Sequence, residues 1–284
     1  AVTTGMGLAS LGTDTRASIR VPAALCGLVG LKPTYGRVPT AGVVTLSWTM
    51  DHVAPMATTV ADAATMLDAL GPAPAPGGWM AHAAEVDTRA LRLGLSAVAF
   101  AEADAEVAKV VRVAAEELQR AGCVIGEADH PDAVDFDVAN AAGLLVSRCE
   151  ATTQHRSFAL DRSLYWEEVA DQLERAESVA AVDYLQAQRL RQDLSERLLA
   201  EFRSHDVLVM PTVPVVAPPI EDFAAYLMRL ARTAIPFSFV GFPAMTVPCG
   251  TVDGLPVGMQ LVAPPGREDL LFAVGLLVER AWRG

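Results

Sequence analysis

The stretch from Leu91 to Ala128 leaves this chain few ways to fold. "LRLGLSAV" (91–98) has the length and apolar content of a strand. A helix is predicted next over 105–121, with Val107, Val110, Val111, Ala114 and Leu118 inward and Gly122 placed to end it. "CVIGEA" (123–128) then reads as a second strand. Two strands linked by a helix argue for a sheet with helices packed on it. Hydrophobic residues make up 52% of the 284 positions, ample for a large core. The expected class is α/β.

Other segments fill in the frame. Residues 1–12, "AVTTGMGLASLG", are small and apolar and predict a buried helix leading into the turn at Ser18. "CGLVGLKPTYGRVP" (26–39) is punctuated by Gly and Pro and reads as loop. "VVTLSW" (43–48) is strand-like. A helix is predicted from Val60 to Leu70, with Thr59 as N-cap, Asp62 favourable to its dipole and Gly71 as its stop. "PAPAPGG" (72–78) reads as an internal connector. Residues 137–203 are almost all helical in pattern, ending in a stripe of Leu190, Leu194, Leu198 and Phe202. A buried strand is expected from Val207 to Met210, and two more on either side of an Asp253-Gly254 hairpin turn. The chain should close with a helix from about Glu268 to Trp282.

Charge and composition remove several function classes. The 22 basic and 34 acidic residues leave a net charge of −12 with no basic run, so nucleic acid is a poor partner. Cys26, Cys123, Cys149 and Cys249 are scattered and read as reduced thiols of a cytoplasmic protein. His52, His82, His130, His155 and His205 never pair at metal-ligand spacing, and no metal or cofactor is expected. No signal peptide is recognisable, and no apolar run reaches the roughly 18 residues of a membrane span. "GMGLAS" (5–10) imitates half of a dinucleotide fingerprint but lacks the third glycine and a preceding strand. The chain opens on Ala1, without an initiator Met, in a stretch that reads as the inside of a domain.

The chemistry concentrates in "DTRASIRVPAA" (14–24). Ser18 follows a short polar turn and precedes a run that reads as extended or turning backbone. Consecutive N–H groups around such a turn can form an anion-binding nest, which acyl transfer needs as an oxyanion hole. Asp14 and Arg20 flank it and are placed to form an ion pair that fixes the turn. From these residues alone, Ser18 is either a nucleophile or a structural turn serine.

The wider stretch "GTDTRASIRVPAALCGLVGLKPTYGRV" (12–38) resembles the signature block of the amidase signature family, serine hydrolases that use a Ser-cisSer-Lys triad. "MDHVAPMATTVADAATMLDAL" (50–70), "DVLVMPTVP" (206–214), "GFPAMTVPCG" (241–250) and "GLPVGMQLVAP" (254–264) are similar to further family blocks in the expected order. The resemblance implies one domain over 1–284, a mixed twisted central sheet sandwiched between helices. It also implies hydrolysis of a small-molecule carboxylic amide through an acyl-enzyme, without a cofactor. By the same likeness Ser18 is the nucleophile, the N–H groups of Thr15, Arg16, Ala17 and Ser18 are the oxyanion hole, and Asp14 and Arg20 support the turn. Homodimers are common among such proteins.

Three departures keep a second function in view. The family's bridging serine lies in a Gly/Ser-rich stretch before the nucleophile, and its lysine lies further upstream. Both positions would fall before Ala1, so an N-terminal part of the domain is expected to be missing here. Lys32 and Lys109 do not match the lysine's place. The family's Gly-Gly has become Arg16-Ala17, which carries strain if the backbone there has positive φ. The alternative is a catalytically inactive, amidase-like scaffold or subunit.

Overall fold

The computed structural model describes residues 1–72, 74, 76–158 and 161–283. Its elements run in the order β1 (Ala9–Asp14), α1 (Arg20–Leu25), β2 (Val29–Lys32), β3 (His52–Ala57), α2 (Val60–Leu70), α3 (Gly78–Ala84), β4 (Arg92–Ser96) and α4 (Ala97–Glu102). They continue as α5 (Ala105–Arg120), β5 (Val124–Ala128), α6 (Ala133–Phe158), α7 (Glu167–Glu177), α8 (Ala181–Glu201) and β6 (Val207–Pro211). The last are α9 (Phe223–Ala231), α10 (Ile235–Phe239), β7 (Ala244–Val252), β8 (Leu255–Val262) and α11 (Glu268–Arg283).

The eight strands of the described residues join one sheet in the order β1-β3-β2-β7-β8-β6-β4-β5. β4 runs parallel to both β5 and β6, and the remaining pairings are antiparallel, so the sheet is mixed. Side-chain alternation divides its faces. On β6, Val207 and Val209 enter a core shared with α2, α3, α5 and α11. Leu208 and Met210, on the opposite face, enter a core shared with α6, α8 and α10. The sheet is therefore covered by helices on both sides, as the expected class requires.

Much of the local chemistry follows the sequence. Thr59 caps α2 by accepting the Asp62 N–H at 3.0 Å. Asp253 (φ 50°) and Gly254 (φ 79°) form the left-handed pair that a tight hairpin between β7 and β8 demands. Gly122 takes φ 108° just past α5. Leu194 and Leu198 are fully buried, with Leu190 and Phe202 packed at the edge of the same core. Of the expected connector 72–78, Ala73 and Ala75 lie outside the described residues, as does Gly284 at the end of the expected domain.

Four expectations are corrected. Residues 9–14 are the edge strand β1, paired residue for residue with β3, rather than the end of a buried helix. Their small residues carry no period that separates helix from strand. Residues 29–32 are an interior strand, β2, inside the segment read as loop. Burial on both faces removes the alternation that would reveal so short a strand. "VVTLSW" is irregular, its shape set by carboxylates described below. The end of "LRLGLSAV" leaves the sheet at Ser96, which caps α4.

The seat of α1 fixes the position of Ser18. A Cβ on Gly30 would stand 2.6 Å from the Ala23 Cβ and 3.1 Å from the Ile19 carbonyl. One on Gly258 would stand 2.8 Å from the Ala24 Cβ. The helix thus lies against β2 and β8 only because its inner face is alanine and the facing strand positions are glycine.

Candidate active site

β1 ends at Asp14, opposite His52 of β3, and the chain then turns through Thr15–Ile19 into α1. Asp14 is buried and organises this turn. Its Oδ1 accepts the Ala17 N–H at 2.7 Å, and its Oδ2 accepts Nε–H of Arg20 at 3.0 Å. Arg20 Nη2 donates to Asp14 Oδ1 at 3.2 Å, making the pair two-pronged. The same guanidinium reaches the Ala234 carbonyl and Gln260 Oε1, both at 2.8 Å, tying the turn to the start of α10 and to β8. The ion pair read from the sequence is present. Removing one partner of such a buried pair costs about 3–5 kcal/mol.

Burial disfavours the Asp14 charge, but Arg20, with Lys32 and His52, outweighs it and holds the carboxyl below the usual range. Behind it, Lys32 Nζ donates to the carbonyls of Phe242 and Pro33 and lies 3.4 Å from His52 Nε2. His52 Nδ1 faces the Met50 carbonyl at 2.7 Å, which assigns the proton to Nδ1 and leaves Nε2 as acceptor. Burial, with Lys32 beside it, pulls His52 down to about 3. Burial also draws Lys32 well below the lysine range, with Arg20 adding to the effect.

At the centre of the turn Ala17 has φ 82°. This is the left-handed region, at a cost of about 1–2 kcal/mol for a residue with a Cβ. Ala17 is buried and does not line the cavity in front of Ser18, so its methyl stands clear of that space. Ser18 itself is exposed. Among the described residues, no backbone acceptor takes the N–H of Thr15, Arg16 or Ser18, whereas that of Ala17 is engaged by Asp14.

Thr15, Arg16 and Ser18 together line a cavity of about 340 Å³, closed on its other sides by α6, α7, α9, α10 and the loop around Leu46. Arg16 Nε and Nη2 are buried without a hydrogen-bond partner, and so is Nε of Arg148 on α6. Burial, and the charge of Arg148 nearby, lower Arg16 to about 10.

Sequence reading missed Arg148 because nothing local distinguishes it from other helical charges. Two buried carboxylates hold the wall, of which the sequence pointed to Asp51 but not to Glu150. Asp51 accepts the Thr15 hydroxyl at 2.6 Å and the N–H groups of Leu46 and Ser47. Glu150 accepts the Ser47 hydroxyl at 2.6 Å, the Thr49 N–H and hydroxyl, and the Tyr184 hydroxyl. These bonds shape the irregular segment that looked like a strand. Met50 is packed in the α6/α8 core and is not a pocket residue. Of the aromatic residues in the helical region, Trp166 is 83% exposed, Phe158 is 40% exposed, and Tyr165 bonds His155 at 3.0 Å. His155 reaches the cavity; these three do not.

Tertiary folding also unites His130, Asp132 and Asp135, with ligand atoms within 4.8 Å of one another. Asp132 and Asp135 exchange N–H bonds as a capping box at the start of α6, and Arg197 and His130 pair with Asp135. That arrangement accounts for the cluster without an ion. No helix among the described residues is long and apolar enough to cross a membrane.

Comparison with known proteins accords with this geometry. A family model described as Amidase matches residues 1–272. The chain is 33% identical over 318 residues to a subunit of the glutamyl-tRNA(Gln) amidotransferase of Chloroflexus aggregans, covering 99% of this chain and 64% of that protein. It is 35% identical over 294 residues to an amidase of Pseudomonas putida, covering 95% and 62%. A crystal structure of an amidase superposes with a TM-score of 0.86 at 28% identity, covering 99% of this chain and 64% of that one. The chain thus spans less than two thirds of the length of these relatives. Its sequence and its fold place it in the amidase signature family.

Proposed function

We propose that this protein hydrolyses a small-molecule carboxylic amide, with Ser18 as the nucleophile. The observation that carries the reading is the turn itself: an exposed Ser18 at the edge of a cavity, beside N–H groups that no backbone acceptor takes among the described residues. Attack of Ser18 Oγ on the amide carbon forms a tetrahedral adduct whose oxygen becomes an oxyanion. The N–H groups of Thr15, Arg16 and Ser18 are the donors left to meet it. Ala17 contributes by shape: its N–H is spent on Asp14, which holds the turn open. Collapse expels the amine and leaves an acyl-enzyme that water hydrolyses.

A proton acceptor is also required, because a serine at its free pKa is a weak nucleophile. Lys32 and His52 are unsuited, since both are buried behind the turn and hydrogen-bonded there. The resemblance assigns this task to a lysine acting through a second serine, at positions preceding Ala1 in the family pattern.

Labelling with a fluorophosphonate, read by intact mass and peptide mapping, tests the reading. One adduct on Ser18 is expected. Ser18→Ala should lose the adduct and lower amide turnover by on the order of 10³-fold or more, with the fold intact. Undiminished turnover in that variant overturns the nucleophile assignment. Absence of both adduct and turnover in a protein that also carries the family's upstream serine and lysine favours an amidase fold kept as a scaffold.

A further inference from the structure

The two arginines of the cavity are the feature that amide hydrolysis does not explain. Arg16 and Arg148 both line it, and each buries guanidinium nitrogen without a partner. Neither forms an ion pair among the described residues, in a chain where acids outnumber bases by 34 to 22. The nearby carboxylates are committed elsewhere. Glu150 follows Arg148 by two residues on α6, so it points about 200° away around the helix, where it accepts four hydrogen bonds. Asp51 is filled by Thr15, Leu46 and Ser47. Among the described residues, no acidic side chain lines the cavity.

Two like charges brought together and desolvated are unfavourable until an anion joins them. Guanidinium groups present planar pairs of N–H donors that match a carboxylate. Away from the Ser18 turn most of the wall is apolar, Leu144, Met228 and Ile235 among it, and Ser147, His155 and Gln172 are its further polar side chains. We propose that Arg16 and Arg148 together bind the carboxylate of an acid-bearing amide, so that the substrate is a small organic anion. This rests on the reading of the cavity as the substrate site of Ser18. On this view the arginine that replaces the family's first glycine determines specificity.

Binding is measured in the Ser18→Ala variant, where turnover plays no part. Isothermal titration with hexanoate, its neutral isostere hexanamide and inorganic phosphate separates charge from shape. Hexanoate should bind at least about tenfold tighter than hexanamide, as charged hydrogen bonds require. Arg16→Met and Arg148→Met should each weaken hexanoate by about tenfold and leave hexanamide unchanged. Arg16→Lys and Arg148→Lys keep the charge and should retain most of the preference, which keeps the test open if a Met variant misfolds. Equal binding of acid and amide, hexanoate affinity indifferent to both Met changes, or tighter binding of phosphate would each overturn the proposal. If hydrolysis proves independent of Ser18 while hexanoate still needs both arginines, the anion site stands and the nucleophile assignment falls.

Discussion

Ala17 shows how one residue can be held against its own preference. Its positive φ is imposed by the Asp14 carboxylate, which takes its N–H at 2.7 Å, and by Arg20, which clamps that carboxylate. Ala17→Gly removes the clash of the Cβ in the left-handed region but loosens the unfolded chain, two effects of opposite sign. The first is the larger. The variant should be stabilised by about 0.5–1 kcal/mol, a rise of roughly 2 °C in Tm for a chain of this size. A calorimetric scan showing a lower Tm would mean that the turn is not strained at Ala17.

At the scale of elements, the helix α1 carries the turn, and glycines carry α1. Gly30→Ala sets a methyl 2.6 Å from the Ala23 Cβ, closer than two carbons can approach. The helix must shift, at a cost of about 1–3 kcal/mol. Because Ser18 lies just before α1, fluorophosphonate labelling should fall with stability. Adding Ala23→Gly removes the closest clash, leaving the 3.1 Å approach to the Ile19 carbonyl, and should recover most of the labelling, while the lost helix propensity of about 1 kcal/mol remains. Failure of the second change to recover labelling would separate the seat of α1 from the position of Ser18.

For the whole molecule, the cluster behind the turn sets the response to acid. His52 is uncharged in the fold, with its pKa lowered to about 3, but takes up a proton near 6.5 once unfolded. The unfolded state therefore binds more protons between those values, and stability must fall as pH drops through that window. Asp14, whose carboxyl is held below its usual value, adds a second loss at lower pH in the same direction. Urea midpoints should decline steadily from about pH 6.5 to about 4.5, and His52→Asn should flatten that decline. A wild-type midpoint that does not move over the range would show His52 to be titrating alike in both states.

The sequence by itself determined the elements whose causes are local. Thr59 caps α2 through its own hydroxyl, Asp253-Gly254 turns the β7–β8 hairpin through its own backbone, and Leu194 and Leu198 repeat at helical spacing. The block around Ser18 was legible too, since Asp14, Ser18 and Arg20 lie within one short turn. Only the tertiary structure decided that residues 9–14 and 29–32 are strands, because their hydrogen-bond partners lie on β3 and β7. It alone brought Arg148 to Arg16, 132 positions earlier in the chain, and turned Glu150 away from both. A charge is visible in a sequence, but whether it has a partner depends on which distant segment folds against it.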